Sequence, residues 1–124
     1  MIRPFVILGA ANAAICVVAG AFGAHALSGE LSNRQQDVYA TAVQYHFWHA
    51  LGLILVGLCD RSRMAAVWVA IAGWSMLAGA VLFSGSLYAL ALGASARVGF
   101  LTPIGGLAFI VGWVAFALAL MRSR

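Results

Sequence analysis

Apolar residues fill four long runs, approximately 4–27, 41–59, 65–92 and 100–121, and polar residues collect in the gaps between them. Each run is long enough to be read as a membrane-crossing helix, because about 20 apolar residues at ~1.5 Å rise cover a hydrocarbon core ~30 Å thick. The first run is interrupted only by Asn12 and His25. The second begins at Val38 or Thr41 and carries Tyr45-His46-Phe47-Trp48-His49 in its first half. Asp60-Arg61-Ser62-Arg63 forms a charged turn that sends the third run back antiparallel. Gly93–Gly99 links it to the fourth, where Pro103 marks a helix start, since its missing N–H costs little in a first turn. The expected architecture is an all-α integral membrane four-helix bundle forming one domain over 1–124.

One stretch, Ser28 to Gln44, is properly polar, with Glu30, Arg34 and Asp37. Ser32 is a plausible N-cap, and Leu31, Val38 and Tyr39 would allow a short interfacial helix over 28–40. A plain solvated connector is the preferred reading of this segment. Gly52-Leu53-Ile54-Leu55-Val56-Gly57 faintly resembles Gly106-Leu107-Ala108-Phe109-Ile110-Val111-Gly112 with one residue inserted, which would make two repeated hairpins, but chance likeness between segments drawn from a small alphabet is the preferred reading.

Composition agrees with the pattern: 65% hydrophobic residues, 8% charged and a mean hydropathy of +1.02 exclude an ordinary water-soluble domain. The seven arginines sit at the edges of the runs, with Arg3, Arg61, Arg63, Arg122 and Arg124 on one side and Arg34 and Arg97 on the other. That asymmetry places both termini in the cytoplasm by the positive-inside rule. It does not form a nucleic-acid-binding patch. A cleavable signal peptide ending at Ala24-His25-Ala26 is the weaker reading of run one, whose apolar stretch exceeds a signal core. Cys16 and Cys59 do not make a disulfide framework.

Intramembrane polar residues should face the bundle or a cavity. Counting ~1.5 Å per residue from the cytoplasmic edge puts Asn12 at ~12 Å and both His49 and Ser75 at ~15 Å, a shared midplane level. His49 is therefore expected to be neutral and to bond Asn12 or Ser75. His46 comes out at ~20 Å, with His25, Ser84, Ser86, Tyr88 and Thr102 near the outer boundary. Tyr45, His49, Gly52, Val56 and Cys59 form one seam, and His46 lies about 60° to its side, flanking the interface. A metal site, a haem site or a proton relay is the sharper reading of the histidines. Neither His46 nor His49 has acid or Cys neighbours on its helix, so no metal and no cofactor are expected. Small pairs at i, i+4 (Ala19 and Gly23, Ser75 and Gly79, Ala80 and Ser84, Ala108 and Gly112) suit close helix packing or homo-oligomerisation. Trp68 reads as an interface anchor, whereas Trp74 and Trp113 read as apolar packing.

Gly20-Ala21-Phe22-Gly23-Ala24-His25, Tyr45 with His49, Phe83-Ser84-Gly85-Ser86-Leu87-Tyr88, and Thr102-Pro103-Ile104-Gly105-Gly106 followed by Gly112-Trp113 stand in order along the chain. This set resembles the YgdD/YwdK-type small inner-membrane proteins, domain-of-unknown-function family 423, over almost the whole chain. The resemblance implies a four-span bacterial inner-membrane protein, with mitochondrial relatives, and brings no activity with it. His25, Tyr45 and His49 match the pattern, while His46 stands where other members can carry Gln.

All four motifs lie toward the outer ends of their runs. They predict an outward-facing polar cleft built from His25, Tyr45, Ser84, Ser86, Tyr88 and Thr102, with His49 at its floor. The rival is that the Gly and Ser residues merely permit tight crossings. No carboxylate lies within a run, and neither cysteine has a His within helical reach, so catalysis is not expected. The expected role is structural or accessory in the lipid bilayer. The alternative is a binding or transport module for a small ligand, lipid headgroup, haem or metal.

Overall fold

A computed structural model describes residues 1–60 and 62–123. Arg61 and Arg124, both counted in the charge asymmetry, lie outside the described residues. The described chain is helical and arranged as four rods. The first is α1 (Arg3–His25), which carries Pro4 in its first turn. The second is α2 (Asn33–Leu58). The third runs through α3 (Ala66–Gly79), a π-helical turn (Ala80–Ser84) and α4 (Gly85–Ala91) without a break. The fourth opens with a 3-10 turn (Ala96–Phe100) and continues as α5 (Leu101–Met121). Arg3–His25, Ala66–Ala91 and Ala96–Met121 are long and apolar enough to cross a membrane. α2 has the length, but Gln44, His46 and His49 dilute its hydropathy.

Its start differs from the expected run. α2 begins eight residues before Thr41 because Ser32 and Gln35 form a capping box: Ser32 Oγ accepts from Gln35 N at 3.2 Å and Gln35 Oε1 accepts from Ser32 N at 2.9 Å. The polar segment is thus neither a separate interfacial helix nor a mere connector. Residues 33–40 are the first turns of a rod, and Tyr39 on them is buried against α1. At the other end, Asp60 Oδ1 accepts from Ser62 N (3.0 Å) and Ser62 Oγ (2.7 Å), closing the turn. These bonds, and then the nearby Arg63, hold the exposed Asp60 carboxyl below its usual range.

α1 packs along α2, α3 along α5, and the two hairpins meet through α2 and the third rod. Close approach needs missing side chains. A Cβ on Gly9 would lie 2.6 Å from Ile54 Cγ1 and 2.7 Å from the Ala50 carbonyl, and one on Gly105 would collide with the backbone of Phe83. Gly23 is covered by the Tyr39 ring, Gly79 by Phe109 and Gly112 by Met76, so these small residues serve packing within the chain. The apolar core of Phe5, Leu53, Val56, Val69, Ala72, Met76, Ala115 and Ala119 fills the end of the rods that both termini share. Polar side chains occupy the opposite half.

Candidate functional site

The polar half is built around the two imidazoles of α2, one helical turn apart and both buried, with 7% of His46 and 4% of His49 exposed. Asn12 Nδ2 donates to the Leu8 carbonyl at 2.8 Å, which leaves Oδ1 as an acceptor. That oxygen lies 2.8 Å from His46 Nε2, so the Nε2 position carries the hydrogen. In the neutral ring His46 Nδ1 is then a lone pair, and it accepts from the Tyr88 hydroxyl at 3.1 Å. One directional chain, Tyr88 to His46 to Asn12 to Leu8, ties three rods together.

His49 is wired the opposite way. Its Nδ1 lies 2.6 Å from the Tyr45 carbonyl, which can only accept, so Nδ1 carries the hydrogen. Nε2 accepts from Trp113 Nε1 at 2.9 Å and joins α2 to α5. Phe109 stacks on the His49 ring, with centroids 3.4 Å apart and 10° between planes. The indole donor makes His49 neutral, and with His46 neutral in its buried setting the two rings hold opposite tautomers. Each ring nitrogen of His46 and His49 has a protein partner, so a metal could bind either ring only by displacing one of these bonds. Among the described residues, no three His, Cys, Asp or Glu side chains converge.

This geometry corrects the expected midplane contact. Asn12 bonds His46, His49 bonds Trp113, and half-buried Ser75 partners neither. A single seam gives α2 one buried face. It has two, because α1 and the third rod cover the His46 side while α5 covers the His49 side.

The seven residues expected in one outer cleft divide among separate settings. His25 is exposed at the last turn of α1. Tyr88 belongs to the His46 chain. Ser86 Oγ donates to the Phe83 carbonyl at 2.9 Å, so the Thr102 hydroxyl, 2.5 Å away, supplies the hydrogen between them and joins α4 to α5. Ser84 is fully buried, and its hydroxyl has no partner among the described residues. Tyr45 and His49 instead line an aromatic groove of about 640 Å3 between α2 and α5, with Trp48, Phe83, Phe109 and Trp113. The π-helical turn has one residue more than an α-turn would, and Ser86 and Tyr88 come after it with their rotation changed. It sends them to different neighbours.

Two participants, Tyr39 and Trp113, are not among the expected site residues. Tyr39 donates its hydroxyl to the Ala19 carbonyl at 2.5 Å and meets Tyr88 edge-on at 5.4 Å between centroids. Trp113 supplies the His49 bond. The available signal is chemical: an indole N–H or phenol placed in a span needs an acceptor there.

The model of a protein family described as "Protein of unknown function (DUF423)" matches residues 19–106. The chain belongs to the DUF423 family. It is 45% identical over 120 residues to the UPF0382 membrane protein YwdK of Bacillus subtilis, covering 97% of this chain and 98% of that protein. UPF0382 membrane proteins of Staphylococcus epidermidis and Staphylococcus haemolyticus are 44% and 45% identical, the first covering 97% of both chains and the second 95% of both. No solved structure matches the chain. The family expected from the four motifs is thus the one found, and it is a family of membrane proteins. In this DUF423 chain the matched region includes Tyr39, both histidines, the π-helical turn and Thr102, whereas Asn12 and Trp113 lie outside it.

Proposed function

We propose that this protein is a four-span protein of the bacterial inner membrane with both termini cytoplasmic. In this reading α2 crosses as the second span, sheltered by its neighbours, and the arginines give the orientation. Its role is structural or accessory to the membrane, and it is not an enzyme. The observation that carries this reading is the saturation of both ring nitrogens of His46 and His49 in opposite tautomers. A base, nucleophile or metal ligand needs a free lone pair, and these are committed to holding rods together. The test is the purified protein itself: a Soret band or stoichiometric bound metal overturns the reading, and featureless spectra with metal below stoichiometry support it. Orientation is read independently by attaching a thiol at Ser123→Cys in a Cys16→Ala, Cys59→Ala background and labelling intact cells. Protection from an impermeant reagent supports the topology, and labelling overturns it.

The aromatic groove supports a second reading, a binding module for a flat apolar molecule arriving sideways from the lipid. Five rings and His49 line it, and its polar atoms are already bonded or few. Saturable quenching of tryptophan fluorescence by a brominated lipid-soluble ring compound, lost in Trp48→Phe, would favour this reading over the accessory one.

A further inference from the structure

The lipid-facing side of α2 is an exposed stripe through Ala40, Gln44, Trp48, Leu51, Leu55 and Leu58, spaced by three and four residues. Gln44 is the polar member of that stripe. It stands 14 residues from Leu58, about 21 Å along the helix and so about 9 Å inside the outer boundary of a ~30 Å core. Its carboxamide makes no hydrogen bond within the chain among the described residues. An amide turned toward hydrocarbon at that depth has two donors and an acceptor without water to satisfy them. Gln44 itself, with Gly20, Gly23, Gln36, Ala40 and Val43, lines a groove of about 510 Å3 between the outer ends of α1 and α2, where another helix can come close.

We infer that a second copy of this chain covers this face, pairing Gln44 with Gln44 across a two-fold axis along the membrane normal. The inference rests on the single orientation proposed above. If every copy inserts the same way, each residue meets its own depth in the next copy, and a two-fold interface brings a residue against itself. A lone Gln suits that symmetry, because a carboxamide is self-complementary: each copy's N–H donates to the other's C=O. A lone charge or a lone acceptor would not. The stripe is otherwise apolar and exposes Trp48, Leu51 and Leu55, which continue the contact toward the cytoplasmic end.

The test uses full-length chains labelled with donor or acceptor dyes and co-reconstituted in phosphatidylethanolamine and phosphatidylglycerol vesicles. Energy transfer is followed as lipid dilutes the protein. The wild type should associate about tenfold more tightly than Gln44→Leu, the size of one or two membrane hydrogen bonds. Val114→Ala, exposed on α5 and away from this face, should leave association unchanged. Equal association of wild type and Gln44→Leu, or transfer no higher than for randomly placed monomers, overturns the inference, and a lipid headgroup bound to Gln44 gives that second result. In a background of Cys16→Ala and Cys59→Ala, Gln44→Cys should oxidise to a disulfide-linked dimer. Failure to cross-link while the wild type associates places the interface elsewhere and also overturns it. The Ser123→Cys labelling above reads orientation alone, so failure of the topology and failure of the pairing are told apart.

Discussion

Trp113 donates its indole N–H to His49 Nε2 across 2.9 Å, and this is the polar bond between α2 and α5. It also explains why a tryptophan stands several turns inside a span. Trp113→Phe keeps a ring against Phe116 and His49 but leaves a buried acceptor unpaired. The variant should lose about 1–3 kcal/mol of stability, read as a lower melting temperature in detergent. An unchanged melting temperature would show that the bond is not formed in the folded protein.

His46 sits between an acceptor and a donor, Asn12 Oδ1 and the Tyr88 hydroxyl. Glutamine offers the same pair of functions on one amide, so His46→Gln should keep the fold within about 1 kcal/mol. His46→Leu orphans both neighbours and should be clearly less stable. Combining it with Tyr88→Phe should cost less than the two singles added, with a coupling of about 0.5–3 kcal/mol. Strict additivity would mean that the two side chains do not meet.

The helical content and the extent of the first, third and fourth rods are legible from hydropathy because a membrane core leaves the backbone few options, whereas α2 outruns its apolar stretch. Ser32 is legible as a cap for the same kind of local reason, although the reciprocal bond from Gln35 emerges only in the structure. The network is harder to read. A single seam puts His46 on a flank because it assumes one partner per helix, while α2 has neighbours on two sides. Ser84, Ser86 and Tyr88 group together by depth, but the π-helical turn reorients the residues beyond it, and no residue type announces such a turn. Depth is informative about which half is polar and silent about direction.

Close approach gives a sharper test of the packing. A Cβ at Gly9 falls within 3 Å of the Ala50 carbonyl and the Ile54 amide nitrogen, backbone atoms that cannot swing away. Gly9→Ala should therefore part α1 from α2 and cost about 1–3 kcal/mol. Gly20, on the same helix, has Val43 Cγ1 3.6 Å from its would-be Cβ, an ordinary contact. Gly20→Ala should be neutral or slightly stabilising, since alanine is the better helix former by about 1 kcal/mol. Equal effects of the two on thermal stability would contradict the observed hairpin.

Ser84 and Ser86 separate a buried hydroxyl that does nothing for the fold from one that does. Both are buried, on either side of Gly85. Ser86 reaches the Phe83 carbonyl and Thr102, whereas the Ser84 hydroxyl is unpartnered at zero exposure. Removing an unpaired buried hydroxyl relieves a desolvation cost, and removing a paired one strands its neighbour. Ser84→Ala should hold or raise stability by up to about 1 kcal/mol, and Ser86→Ala should lower it by about 1–2 kcal/mol. Melting curves of the two variants in one detergent decide it. If Ser84→Ala is the more damaging, the hydroxyl has a partner in the folded protein, such as an ordered water at the π-helical turn, and the polar half is more hydrated than its side-chain bonds imply.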